Sequence, residues 1–187
     1  MSYMPCHQYQ RDRCAEFESP VLNVACKEDP AHLGRDFNAE NIDIEDYDIE
    51  TQTDLYSTVP NFTRMSVQRM SFPTRMFAHI VLGEFLEHCT FDAAVEALDE
   101  INRVLQPGGR VTITFPKDTR SPEQQRPPHE LQEYCKGITS WHQTVWTDQM
   151  LDDLSKKTGF REIRSYREKL TYATCNCTGL GLVWEKQ

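Results

Sequence analysis

The side chains of this chain best suited to proton transfer are His88, His129 and His142, with Glu130 next to the second of them. An imidazole titrates near neutral pH, so each histidine can take a proton from a hydroxyl or an amine that the fold brings within reach. Each also has a plainer reading: His88 caps or packs at a helix start, and His129 and His142 lie in polar loop sequence. Cys26 is a candidate nucleophile, but a thiol needs a base or a positive environment to become a thiolate, and Lys27 is its one adjacent charge. The nucleophile-elbow and phosphate-loop motifs are both missing, which leaves a hydrolase or thiol enzyme without support. Cys175 and Cys177 form the one close cysteine pair among seven scattered cysteines. Zinc needs four ligands and nothing nearby has ligand spacing, so reduced thiols and no metal are expected. Trp141, Trp146 and Tyr134 can wall a pocket for an aromatic or apolar molecule, with core packing favoured for Trp146.

The elements that must position these groups are most legible between Phe77 and Pro116. His79 to Leu82 is an apolar run too short for a helix, followed by Gly83, and reads as a strand buried on both faces. Thr90 suits an N-cap and Asp92 a first helical turn. Ala94, Leu98, Ile101 and Leu105 then recur at helical spacing. Pro107-Gly108-Gly109 stops that helix, and Val111 to Phe115 alternates like a strand. A strand, a helix and a returning strand make a parallel crossover, hence a parallel α/β sheet.

Leu86-Glu87-His88 after the strand, and Arg103 to Gly109 at the helix end (Arg-Val-Leu-Gln-Pro-Gly-Gly), resemble landmarks of the class I S-adenosylmethionine-dependent methyltransferases, in their small-molecule branch. Val21-Leu22-Asn23-Val24 is similar to that family's first strand and Asn41-Ile42-Asp43-Ile44 to its second. Ser71-Phe72-Pro73 with Phe77 resembles the approach to its fourth. Val145-Trp146-Thr147, Leu151, Leu154 and Gly159-Phe160 resemble its late helix and sixth strand. The resemblance runs over roughly positions 20 to 185. It implies a Rossmann-like three-layer α/β sandwich whose mostly parallel sheet ends in an antiparallel hairpin, with Thr178 to Trp184 as the last strand.

The same resemblance implies a cofactor site for S-adenosylmethionine beyond the carboxyl ends of the strands. Its positions here are Val24, Ala25, Cys26 and Lys27 after the first strand, Asp43 and Ile44 at the second, Ser66 and Val67 after the third, and Leu82 and Glu84 at the fourth. Asp43 can accept hydrogen bonds from both ribose hydroxyls, Ser66 can bond a base edge and Val67 can pack on its face. Glu84 reaches the methionine end or turns the chain out of its strand. His88, His129, Trp141 and His142 are the substrate-side candidates. The chain departs from the family at Ala25 and Lys27, where glycines are usual, and at Ser66 and Ala78, where acids are usual. Methyl transfer to a small molecule is the implied activity. A methyltransferase-like binding module or subunit that acts through a protein partner is the alternative.

Bulk properties agree with one domain over 1–187. Residues 1–19 are a polar N-terminal arm, either partly ordered or, as the resemblance implies, folded over the cofactor, and 117–146 form a proline-bearing insertion after the fifth strand. Between the first two strands, Lys27 to Glu40 contains Pro30 and Gly34 and predicts a loop or short helix. With 20 basic and 29 acidic residues the net charge is −9, and no basic stripe suits nucleic acid. No apolar run has membrane-spanning length and Met1 to Pro20 lacks a secretory apolar core, so a cytoplasmic location is expected. A nicotinamide dehydrogenase is excluded by the missing glycine-rich fingerprint.

Overall fold

In the computed structural model, residues 5–26, 31–44, 47–48, 53–117, 144, 146–171 and 178–187 are described. The strands are β1 (Val21–Val24), β2 (Glu40–Asp43), β3 (Tyr47–Asp48), β4 (Thr53–Asp54), β5 (Phe62–Arg64), β6 (Phe77–Gly83), β7 (Leu105–Lys117), β8 (Phe160–Thr171) and β9 (Thr178–Lys186). Seven of them form one sheet in the order β5-β2-β1-β6-β7-β9-β8, while β3 and β4 pair apart as a short ribbon. From β5 to β7 every neighbour is parallel, and β9 runs antiparallel to both β7 and β8. The expected mostly parallel sheet with an antiparallel end is therefore present. The strand order reverses direction at β1, between β2 and β6, and in open α/β sheets the ligand crevice lies outside the carboxyl edge at such a switch point.

Helices cover both faces. On one side lie α1 (Pro5–Glu16) and α2 (Leu33–Phe37), and on the other α4 (Phe91–Val104) and α5 (Asp148–Lys157); α3 (Leu55–Thr58) is a single turn before β5. Alternation along the strands divides the two faces. Leu22, Val24, Ile80, Leu82, Val111, Ile113 and Phe115 point into the main core with Leu98, Ile101 and Leu154 of the helices. The opposite face is more polar, with His79, Thr112 and Thr114 buried there beneath α1.

The crossover from β6 to β7 forms as its residues predict. Thr90 caps α4, its side chain accepting from the Ala93 amide, and Ala94, Leu98 and Ile101 are buried. The helix ends at Val104, and the strand begins earlier than the Val111 start the alternation suggests, at Leu105. The pairing skips from Phe77↔Leu105 to His79↔Arg110, so Pro107-Gly108-Gly109 is accommodated as an irregularity inside the ladder. A Cβ on Gly109 would lie 2.9 Å from the Gln106 carbonyl oxygen and 3.0 Å from that of Ala78, so only glycine fits the close approach there.

Arg103 shows why its place in the sequence landmark matters. Its guanidinium donates to Glu100 at 2.7 Å and to the carbonyls of Met70 and Phe72, each at 2.9 Å, tying the segment before β6 to α4. Glu100 also accepts from the Met70 amide at 2.8 Å. Arg103→Ala should lower the unfolding free energy by about 1–3 kcal/mol, since the cluster is only partly screened from water. Arg103→Lys, which keeps the charge and loses the fork, should fall between. Urea denaturation of the three proteins checks the order, and an alanine variant as stable as the parent would refute the staple.

The polar N-terminal arm contains a helix. α1 has no apolar periodicity, yet Cys6, His7, Tyr9, Gln10 and Cys14 are buried along one side of it. Polar contacts hold it: Arg11 bonds the Ala31 carbonyl and Asp36, and Glu16 pairs with Arg164 of β8 at 2.8 Å. The expected short element between β1 and β2 is the one-turn α2. Among the described residues no helix is long and apolar enough to cross a membrane.

Candidate functional site

The carboxyl ends of β1, β2, β5 and β6 lie side by side, as the register Val24↔Ile42, Val24↔Leu82 and Asp43↔Arg64 requires. The residues that follow these strand ends border the switch-point edge, where a ligand crevice is expected. After β1 the chain bends sharply: Ala25 has φ 54°, in the left-handed region, and the Cys26 amide donates to the Ile42 carbonyl at 3.2 Å. An alanine held there costs about 1–2 kcal/mol relative to an unstrained backbone. Glu84 makes the matching bend after β6, with φ 51° and its amide donating to the Thr114 carbonyl at 2.7 Å. Two adjacent strands thus end in bends at the switch point.

Asp43 stands half-buried at the end of β2 and its carbonyl accepts from the Met65 amide at 2.7 Å, which fixes the turn after β5 alongside it. Ile44 leaves the expected strand one residue early and is 64% exposed, an apolar side chain beside the Asp43 carboxylate. Arg64 holds the Ile44 carbonyl at 2.9 Å. Ser66 is half-buried and its hydroxyl accepts from the Gln68 amide at 3.3 Å, which still leaves the O–H able to donate. Val67 is buried with Met70 in the main core. Val24 and Leu82 are buried too, so what they offer the crevice is backbone. Lys27 lies outside the described residues.

Cys26 is no nucleophile in this arrangement. Its side chain is 3% exposed and packs with Leu55, Val59 and Phe62 beneath α3. Cys89 is equally inert, since burial and then the nearby Glu87 charge push its thiol up to about 12. Among the described residues no group of three or more His, Cys, Asp or Glu can hold a metal ion.

Leu86-Glu87-His88 forms a 3-10 turn beyond β6 rather than part of the following helix. Its carbonyls are bound from the far side of the insertion. Trp146 Nε1 donates to the Leu86 carbonyl at 2.7 Å, the Thr144 amide to that of Glu87 at 3.2 Å, and the Thr144 hydroxyl to that of Cys89 at 2.6 Å. Trp146 is buried against Phe91, as its core reading has it. His88 is half-buried with Nε2 3.8 Å from Glu87 Oε1. His129, Trp141 and His142 lie outside the described residues, as do Glu130, Tyr134 and the Cys175/Cys177 pair. A separate cleft of about 550 Å³ between α5 and β8–β9, lined by Asp152, Lys156 and Arg161 among others, is away from the strand ends and their carboxylate.

Sequence reasoning had the N-terminal arm as one that could fold over the cofactor, but named neither its helix nor any residue it brings to this edge. Gln10 reaches the end of β7, donating to Thr114 Oγ1 at 2.8 Å, and His7 lies one turn beyond it. Neither residue carries a signal in hydrophobic periodicity. A helix hypothesis placing residues 7, 10 and 14 on one face would have been needed.

The donor set fits an adenosyl group on the β2 side. Asp43 supplies a carboxylate that can accept from a vicinal diol, Ile44 an exposed apolar surface for a base and Ser66 a hydroxyl for its edge. On the β1 side the bend at Ala25 carries a Cβ where a glycine would leave more room.

A family model described as a methyltransferase domain matches residues 28–113. No curated protein matches the chain in sequence. Among solved structures, a SAM-dependent methyltransferase from Archaeoglobus fulgidus superposes with a TM-score of 0.70 at 14% identity, covering 96% of this chain and 92% of that one. One from Methanosarcina mazei gives 0.66 at 16%, covering 89% and 91%. The Burkholderia thailandensis 1,6-didemethyltoxoflavin-N1-methyltransferase, solved with 1,6-didemethyltoxoflavin and S-adenosylhomocysteine, gives 0.65 at 16%, covering 98% and 77%.

Proposed function

The chain has the class I methyltransferase fold, and from that premise we propose methyl transfer from S-adenosylmethionine to a small-molecule acceptor. The observation that carries the reading is the half-buried Asp43 carboxylate with the exposed Ile44 beside it, next to the bend that ends β1. Asp43 would bind the ribose hydroxyls, Ile44 would lie against the adenine and Ser66 would meet its edge. Backbone at Val24 to Cys26 and at Leu82 to Glu84 would bound the methionine end. When bound, the cofactor supplies a methyl group already activated on a sulfonium. The protein is left to align the acceptor and remove its proton.

Calorimetric titration with S-adenosylmethionine and with S-adenosylhomocysteine tests this. Both should bind saturably, and Asp43→Ala should weaken each about 100-fold, roughly 2.7 kcal/mol, through loss of charge-assisted hydrogen bonds. Circular dichroism of the variant separates lost binding from lost fold.

A second reading rests on the β-carbon of Ala25 at a left-handed position and on the lack of a carboxylate at Ser66 and Ala78. On that reading the domain is a methyltransferase-like scaffold that acts through a protein partner. If neither ligand binds the folded protein, the scaffold reading stands and the enzyme reading falls.

A further inference from the structure

α1 crosses the sheet from its carboxyl edge to its amino edge. At the amino edge, just past the helix, Phe17 meets His79 edge-on with ring centroids 5.0 Å apart, and the Pro20 carbonyl accepts from the Ala78 amide. At the carboxyl edge the helix rests on one row of paired residues, Gly83↔Thr114↔Gly181. A Cβ on Gly83 would come within 2.5 Å of Gln10 Nε2, and one on Gly181 within 2.7 Å of the Tyr9 ring. These two glycines are the footprint of α1 on the sheet. Gly83 is the last residue of β6. His7 is three residues nearer the helix N-terminus than Gln10, about 4.5 Å along the axis and on the same face, which carries it past the strand ends.

His7 is 8% exposed there. Its neighbour is His32, the N-cap of α2, where the loop from β1 returns to the fold. Arg11 keeps the two helices in place through the Ala31 carbonyl at 2.8 Å and Asp36 at 2.7 Å. Two histidines, distant in sequence, are thereby brought near enough for their charges to interact, on the α1 side of the sheet.

We propose that His7, backed by His32, faces the reacting end of the crevice and receives the proton of a hydroxyl or amine methyl acceptor. The inference rests on the methyl-transfer reading above and narrows its substrate class to molecules with a removable O–H or N–H. A lone pair of the acceptor forms the new bond to the methyl carbon. The carbon–sulfur bond breaks, its electrons remain on sulfur to give a neutral thioether, and the acceptor's proton passes to the imidazole. Burial first, and then His32, hold His7 below the ordinary imidazole range, so at neutral pH its ring is uncharged and can act as a proton acceptor.

The two cofactor forms supply the probe, since they differ by one methyl group and one positive charge at sulfur. Histidine-labelled protein is saturated with each, as verified calorimetrically, and the ring resonances are compared by NMR at one pH. The His7 signal, assigned by its loss in His7→Gln and independently by through-bond connectivity, should shift between the two complexes. The His79 signal, sealed under α1, should coincide in both. A His7 signal that is the same in both saturated complexes overturns the assignment while leaving cofactor binding intact. Failure of both ligands to bind overturns the methyl-transfer reading itself, and this inference with it.

Discussion

Replacing Trp146 with alanine should lower the unfolding free energy by about 4–6 kcal/mol, the largest effect of any single side chain considered. About 3–5 kcal/mol is usual for removing a fully buried tryptophan, and loss of its bond to the Leu86 carbonyl adds about 1 kcal/mol. Trp146 is 1% exposed, packs against Phe91 and holds the turn that leaves β6. The cost extends to the site, because Leu86–His88 lies just beyond Glu84. Trp146→Phe, which keeps most of the apolar area but cannot donate, should cost about 1–2 kcal/mol and leave that turn less well fixed. Urea titrations followed by circular dichroism measure both. An alanine variant within about 1 kcal/mol of the parent would show that the indole is not anchoring the turn.

Acidification should act through His79. The ring is fully buried, with Nε2 2.9 Å from Thr112 Oγ1, and its Nδ1 has no hydrogen-bond partner among the described residues. Burial, and then the Arg110 and Arg13 guanidinium charges, hold it down to about 3 in the folded protein. The unfolded chain takes up this proton near pH 6.5 and the folded chain does not. Stability is therefore present above 6.5 and is lost as pH falls toward 3, by about 1.4 kcal/mol per pH unit. Between pH 7 and pH 4.5 the loss is about 2.5 kcal/mol, and it levels off below the folded value. His7 is lowered in the same direction and adds to the slope. His79→Gln isolates the effect: its stability should change with pH less steeply than the parent's, by about one proton. Parallel curves for the two proteins would exclude His79 as the source.

Much of the architecture was legible because it is written in local chemistry. Thr90 caps the helix its hydroxyl suggests, β6, α4 and β7 follow one another as the crossover requires although β7 starts earlier than the alternation puts it, and β8 begins at Phe160 after Gly159. The Arg103 to Gly109 landmark turned out to have two separable physical jobs. Arg103 staples the segment before β6 to the helix, and Gly109 lets two backbones pass within van der Waals reach. Length and composition set the expectation of one core with no basic stripe for nucleic acid, and the crossover set that of an α/β sheet.

The strand ends that make the crevice could be placed from sequence, and Asp43 and Ser66 lie at them. Side-chain direction could not. Cys26, Val67 and Leu82 sit at the same edge, but their side chains are packed into cores, because which way a residue points at a strand end depends on where the chain turns next. Lys186 likewise reaches from β9 to the Asn102 and Leu105 carbonyls at the end of α4, a cap across 84 and 81 positions that no local pattern announces. α1 is the clearest case. A helix without an apolar stripe gives no periodic signal, and its buried side is defined by what it lands on, the Gly83 and Gly181 footprint and the polar face of β6 and β7. Local propensity and spacing thus determined the β6–α4–β7 crossover, and the resemblance carried the order of the sheet around it. The approach of His7 to His32, and the burial of His79 beneath α1, were decided only when the N-terminal helix docked, because both depend on long-range packing that carries no local signature.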